Sequence, residues 1–111
     1  MATTVAPLGR AEAIARIGAL VLAGEFTVGR RANDRMRALG YDLEDVEEFL
    51  CGLSEDECIH DEPPDHPDLA PSGWIYEFVI ELEDDTALYV KVCLNPENVY
   101  VLSFKLDGSP A

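Results

Sequence analysis

Three runs of β-branched and aromatic residues close the chain, from Trp74 to Leu82, Ala87 to Leu94 and Val99 to Leu106. Two polar breaks, Glu83-Asp84-Asp85-Thr86 and Asn95-Pro96-Glu97-Asn98, separate them. Connections of about four residues between such runs are hairpin loops, so the last third predicts a three-stranded antiparallel meander. Strict alternation places Tyr89 and Lys91 on one face of the middle strand, opposite Leu88, Val90 and Val92. On the last strand it groups Val101, Ser103 and Lys105, with Leu102, Phe104 and Leu106 on the other side.

Upstream the period changes from two to that of a helix. From Arg10 to Ala23 the apolar residues Ile14, Ile17, Leu20 and Val21 fall on one stripe, and Gly24 closes the helix. Glu25-Phe26-Thr27-Val28 is β-prone and short, as an edge strand is. A second helix runs from Arg30 to Leu39 and ends at Gly40, with Arg31 and Arg35 on a shared face. Asp42 caps a third, with Asp45 adding negative charge near its N-terminus and Val46, Phe49, Leu50 and Leu53 as its buried stripe. Ser54 and Glu57 have the spacing of a capping box around one further turn. Asp61 to Asp68 contains Pro63, Pro64 and Pro67 and predicts an irregular, solvated loop, and the sheet begins after Pro71-Ser72-Gly73. The expected organisation is a leader over 1–9 and one domain over 10–111. It is an α+β fold, with N-terminal helices packed on one face of a C-terminal antiparallel sheet.

Charge changes this picture more than composition does. The 111 residues are 48% hydrophobic, enough for a single core, and carry a formal charge of −14. Residues 1–37 hold six arginines against Glu12, Glu25 and Asp34, a net of +3, whereas 38–111 hold two lysines against nineteen acids, a net of −17. Between Asp42 and Asp68 there are twelve acids and no lysine or arginine. Such a balance argues against general, non-specific nucleic-acid binding, because phosphate contacts depend on basic side chains. The two lysines, Lys91 and Lys105, both fall in the meander. Cys51, Cys58 and Cys93 are odd in number and lack Cys-x-x-Cys spacing, which fits reduced thiols in the cytoplasm better than a disulfide framework. The apolar run from Ala13 to Ala23 is interrupted by Arg16 and is too short to span a membrane.

Several residue groups admit a chemical and a structural reading. Arg30, Arg31, Arg35 and Arg37 grip phosphate, or pair with the acidic third helix that follows them. The acidic run is a solvated face, or a docking surface for a basic partner. Cys58, His60 and His66, with Asp61 and Asp65, are metal-ligand types, but their spacing matches no zinc pattern.

Five pieces of sequence, in order, resemble the MqsR family of bacterial mRNA interferases. They are Leu39-Gly40-Tyr41-Asp42, Gly52-Leu53-Ser54-Glu55, Trp74, Leu88-Tyr89-Val90-Lys91-Val92 and Val101-Leu102-Ser103-Phe104-Lys105. The resemblance spans roughly Arg10 to Lys105 and implies a RelE-like fold and the toxin of a type II toxin–antitoxin pair. It implies endoribonucleolytic cleavage of mRNA without a metal or other cofactor, the 2′-hydroxyl attacking its own phosphate. A cognate antitoxin protein is the implied partner, with no membrane and no direct DNA contact. Carried over by position, the catalytic tyrosine falls on Tyr89 and a catalytic lysine on Lys105. A second family lysine falls on His60, a residue that titrates near neutrality. A family glutamine after the tryptophan falls on Ile75, and the segment that follows it is replaced by Tyr76-Glu77-Phe78. Arg30, Arg31, Arg35 and Lys91 complete the expected RNA-binding set.

Two other classes of function fit the same departures. One is a non-enzymatic protein-interaction module on this fold, with catalysis relaxed. The other is an acidic mimic that occupies a nucleic-acid-binding protein.

Overall fold

A computed structural model describes residues 9–62 and 74–108, with 60–62 described as backbone only. Residues 1–8 of the expected leader (1–9), the proline-containing segment 63–73 with His66, and residues 109–111 lie outside the described residues. The elements are α1 (Arg10–Leu22), β1 (Phe26–Val28), α2 (Arg30–Ala38), α3 (Leu43–Cys51), a 3-10 turn (Glu55–Glu57), β2 (Cys58–Glu62), β3 (Trp74–Glu81), β4 (Ala87–Leu94) and β5 (Val99–Leu106). The fold is α+β, with helices first and most of the sheet last, as the residue pattern predicts.

The helix ends follow from local chemistry. Gly24 and Gly40 adopt φ of 79° and 86°, which lets Glu25 donate back to the Leu20 carbonyl and Tyr41 to the Met36 carbonyl. α3 opens with a capping box, in which the Asp42 carboxylate accepts from the Asp45 N–H and the Asp45 carboxylate accepts from the Asp42 N–H. Ser54 and Glu57 form a second such box around the 3-10 turn. Among the described residues, no helix is long and apolar enough to cross a membrane.

The five strands form one sheet in the order β1-β5-β4-β3-β2. β2 to β5 pair antiparallel, while β1 is an edge strand that runs parallel to β5. The sheet is therefore mixed, with the meander as its centre. β2 was not expected. It carries Asp61 and Glu62, which the proline pattern assigns to a loop, into pairing with Tyr76 and Ile75. Proline removes the donor only at its own position, and the residue before it is biased toward extended backbone, so Pro63 leaves Asp61 and Glu62 able to pair.

The helices bury Ala13, Ile17 and Val21 of α1, Ala32 and Met36 of α2, and Val46 and Leu50 of α3 against one face of the sheet. That face presents Tyr76, Phe78 and Ile80 of β3, Leu88, Val90 and Val92 of β4, and Val99, Val101 and Phe104 of β5. Tyr41, Phe49 and Phe104 meet in an aromatic trio, with ring centroids 5.4, 5.8 and 6.1 Å apart.

β5 departs from strict alternation. Lys91 pairs with Ser103, but the next residue of β4, Val92, pairs with Val101, so Leu102 is the extra residue of a β-bulge. The bulge reverses the phase of the strand. Val101 and Phe104 both face the helices, and Leu102 packs on the opposite face with Tyr100, Ile75 and Cys93. The expected grouping of Val101 with Ser103 and Lys105 is thus corrected, while Ser103 and Lys105 stay on the face of Tyr89 and Lys91.

Candidate active site

On the face away from the helices, the strand registers bring polar residues into two adjacent rows. In one row, His60 of β2, Glu77 of β3, Lys91 of β4 and Ser103 of β5 are successive cross-strand partners. In the next row, Val79, Tyr89 and Lys105 are partners. Directly opposed residues lie close enough for side-chain interaction. The Tyr89 hydroxyl donates a short hydrogen bond to the Glu77 carboxylate. The Lys105 ammonium lies 5.6 Å from the centroid of the Tyr89 ring, within cation–π range. Glu77, Tyr89, Lys91, Ser103 and Lys105 are all half-buried.

The strip ends at a small cleft where α2 crosses β5. Arg31, Ala32 and Arg35 line it from the helix, and Ser103, Phe104 and Lys105 from the strand. The placement begins at Gly29. Its N–H donates to the Val101 carbonyl at 2.8 Å, and a Cβ there would stand 3.1 Å from that oxygen and 3.2 Å from the Tyr100 ring. Only glycine lets the chain turn into α2 this close to β5 without a neighbour giving way. With Ala32 and Met36 buried beneath it, the helix carries Arg31 and Arg35 along the edge of its buried stripe. Three cationic residues and one serine therefore border a single cleft in a protein of charge −14.

The other expected groups are distributed differently. Arg30 is the exposed first residue of α2, and Arg37 lines a separate cleft with Asp42 and Glu44. α3 packs against α1 while α2 packs against β5, so the acids Glu47 and Glu48 face away from Arg31 and Arg35, lining a third cleft with Leu22 and Cys51. His60 holds the β2 end of the strip through its backbone register, and its side chain is outside the description. Lys91, left without a role by the resemblance, stands between Glu77 and Ser103.

Glu77 is the site residue that the sequence pattern did not single out. Its signal is a lone carboxylate midway along an apolar strand, facing away from Tyr76 and Phe78. Its relation to Tyr89 becomes visible only once the β3–β4 register is known. Ile75, where the resemblance implies a glutamine, sits instead in the small apolar cluster with Cys93, Tyr100 and Leu102. Burial there pushes the Cys93 thiol up to about 11, so it is held protonated and is not a nucleophile. Burial, then Glu47, also raises Cys51.

If this cleft takes single-stranded RNA, removing Arg31 and Arg35 together is expected to weaken that binding and flatten its salt dependence. Two lost phosphate contacts lower the log–log slope by about 1.4. Fluorescence anisotropy of a labelled oligonucleotide across a salt series checks this. An unchanged slope means that the two arginines do not contact phosphate.

No protein-family model matches this chain, and no curated protein matches it in sequence.

Proposed function

We propose that this protein is an endoribonuclease of the mRNA-interferase kind, the toxin of a type II toxin–antitoxin pair acting in the cytoplasm. The observation that carries the reading is the register of Tyr89 with Lys105 beside the cleft of Arg31, Arg35 and Ser103. Cleavage of RNA by its own 2′-hydroxyl needs a proton acceptor, a donor for the leaving oxygen, and cations against the charge that builds on phosphorus. Lys105 supplies the cation nearest the reacting phosphate, with Arg31, Arg35 and Lys91 holding the neighbouring backbone. Tyr89 orients the attacking hydroxyl, and His60 is the candidate acid–base at the β2 end. At physiological ionic strength, exposed charges beyond about 8 Å are largely screened. A local cationic cleft therefore attracts RNA despite the acidity of the chain as a whole. The cognate antitoxin restrains the activity by covering this face.

The test is incubation of the purified protein with mRNA at low ionic strength, where phosphate attraction is strongest. Cleavage that persists in excess chelator and leaves 2′,3′-cyclic phosphate and 5′-hydroxyl ends is the expected result. Intact RNA under those conditions sinks the reading and leaves the non-enzymatic interaction module, which the apolar Ile75 favours.

A further inference from the structure

We infer that Glu77, in place of His60, is the terminal proton acceptor of the site, acting through the hydroxyl of Tyr89. The inference rests on the RNA-cleavage reading and names a residue that the resemblance leaves without a role. Three observations carry it. The Tyr89 hydroxyl donates to the Glu77 carboxylate, so its proton already lies on a path to a base. Glu77 is half-buried on β3, inside the polar strip, flanked by Lys91 on β4 and by the position of His60 on β2. Among the side chains described on this face, lysine is a cation and the tyrosine and serine hydroxyls retain their protons at neutral pH. A carboxylate is the one type there that is already a base.

The step balances without any further reactant. The 2′-hydroxyl gives its proton to the Tyr89 oxygen as Tyr89 passes its own proton along the existing hydrogen bond to Glu77. The O2′–P bond forms and the P–O5′ bond breaks. The leaving O5′ takes a proton from the Lys105 ammonium. The products are a 2′,3′-cyclic phosphate and a 5′-hydroxyl. Protonated Glu77 and neutral Lys105 then differ from their resting states by one proton each, in opposite directions, and solvent exchange resets both.

Glu77 acts through Tyr89 and is a positioning and proton-holding residue, so its test must separate that from mere support of the sheet. Glu77→Gln keeps an oxygen that accepts from Tyr89 but cannot take up the proton. Its kcat for RNA cleavage near pH 7 is expected to fall by about 10²–10³, within the range for loss of a general base, with KM changed less than twofold. The wild-type kcat declines on the acidic side as a carboxylate protonates, and that limb is absent from the Glu77→Gln profile. Glu77→Asp retains a shorter carboxylate and retains the limb at a lower kcat. Far-UV circular dichroism melts check that all three proteins fold alike. Should Glu77→Gln fail to fold, the limb in Glu77→Asp decides. Glu77→Gln with wild-type kcat, or with the acidic limb intact, or Glu77→Asp without that limb, overturns the inference alone. RNA left uncut by the wild type overturns the RNA-cleavage reading and the inference with it.

Discussion

Lys105→Ala is expected to lower the RNA-cleavage rate by about 10³ and to abolish the growth arrest that the proposed activity predicts when the wild type is expressed in bacteria. Removing one preorganised donor aimed at developing transition-state charge costs about 10²–10³ in kcat in well-studied sites. Lys105 is asked to supply both that charge and the proton of the leaving group, which places the loss at the upper end. The fold is expected to lose little. Lys105 is half-buried on the face away from the helices, and its removal forfeits the contact with the Tyr89 ring, worth about 0.5–1 kcal/mol. Loss of activity would therefore not be loss of structure, and unfolding midpoints within that margin establish it. Lys105→Arg retains the positive charge but has a proton too tightly held to give up, so it is expected to keep RNA binding and lose most of the cleavage. Equal growth arrest by the wild type and Lys105→Ala removes Lys105 from the mechanism.

Phe104→Ala carries the largest expected effect on stability, about 3–5 kcal/mol, against a total of about 5–15 kcal/mol for a domain. Phe104 is 1% exposed and packs edge-on to Tyr41 and obliquely to Phe49. The ring thus joins β5 to α3 and to the α2–α3 connection, and alanine leaves a cavity under three elements that cannot collapse together. Because urea slopes of small proteins are about 1–3 kcal/mol/M, the unfolding midpoint should fall by on the order of 2 M. Phe104→Leu retains most of the volume and forfeits the aromatic contacts, worth about 0.5–1.5 kcal/mol a pair, so its midpoint should lie between those of the wild type and the alanine variant. Phe104 also stands between Ser103 and Lys105, so the variant should lose activity in proportion to its unfolded fraction. A stable Phe104→Ala protein would mean that the aromatic trio is not a keystone of the core.

What the residue pattern reveals, and what it conceals, divides along physical lines. Period and capping act locally, so β4 and β5 match their expected limits and β3 ends one residue early, at Glu81. α1 to α3 begin and end within a residue or two of their Gly and Asp signals. β2 is concealed because Cys58 to Glu62 carries two acids and a histidine in five residues. Such a strand exists through pairing with β3 and not through its own propensity. The parallel run of β1 along β5 depends on a crossover through α2, α3 and the rest of the sheet, which no local pattern encodes. In the site, Tyr89 and Lys105 are legible through alternation and the resemblance. Glu77 is not, because a carboxylate in a strand reads as an ordinary solvent-facing residue until a tyrosine from another strand is placed beside it. Arg31 and Arg35 are legible as a pair, but their meeting with Lys105 depends on the close approach at Gly29.

The bulge at Leu102 has a consequence for how this protein tolerates change. Before it, Val99 and Val101 answer to the helices and to β1; after it, Ser103 and Lys105 answer to their partners on β4. The extra residue insulates one half of the strand from the other. Length variation at the Asn95–Asn98 turn, or drift in the parallel edge, can be absorbed at Leu102 before it reaches Lys105. Relatives of this chain can thus differ in the first half of β5 and keep the alignment of Tyr89 with Lys105, and deletion of Leu102 itself would set Val101 next to Ser103 in plain alternation, keeping Val101 and Phe104 toward the helices and Ser103 and Lys105 toward Tyr89 at the cost of the apolar contact with Ile75 and Cys93.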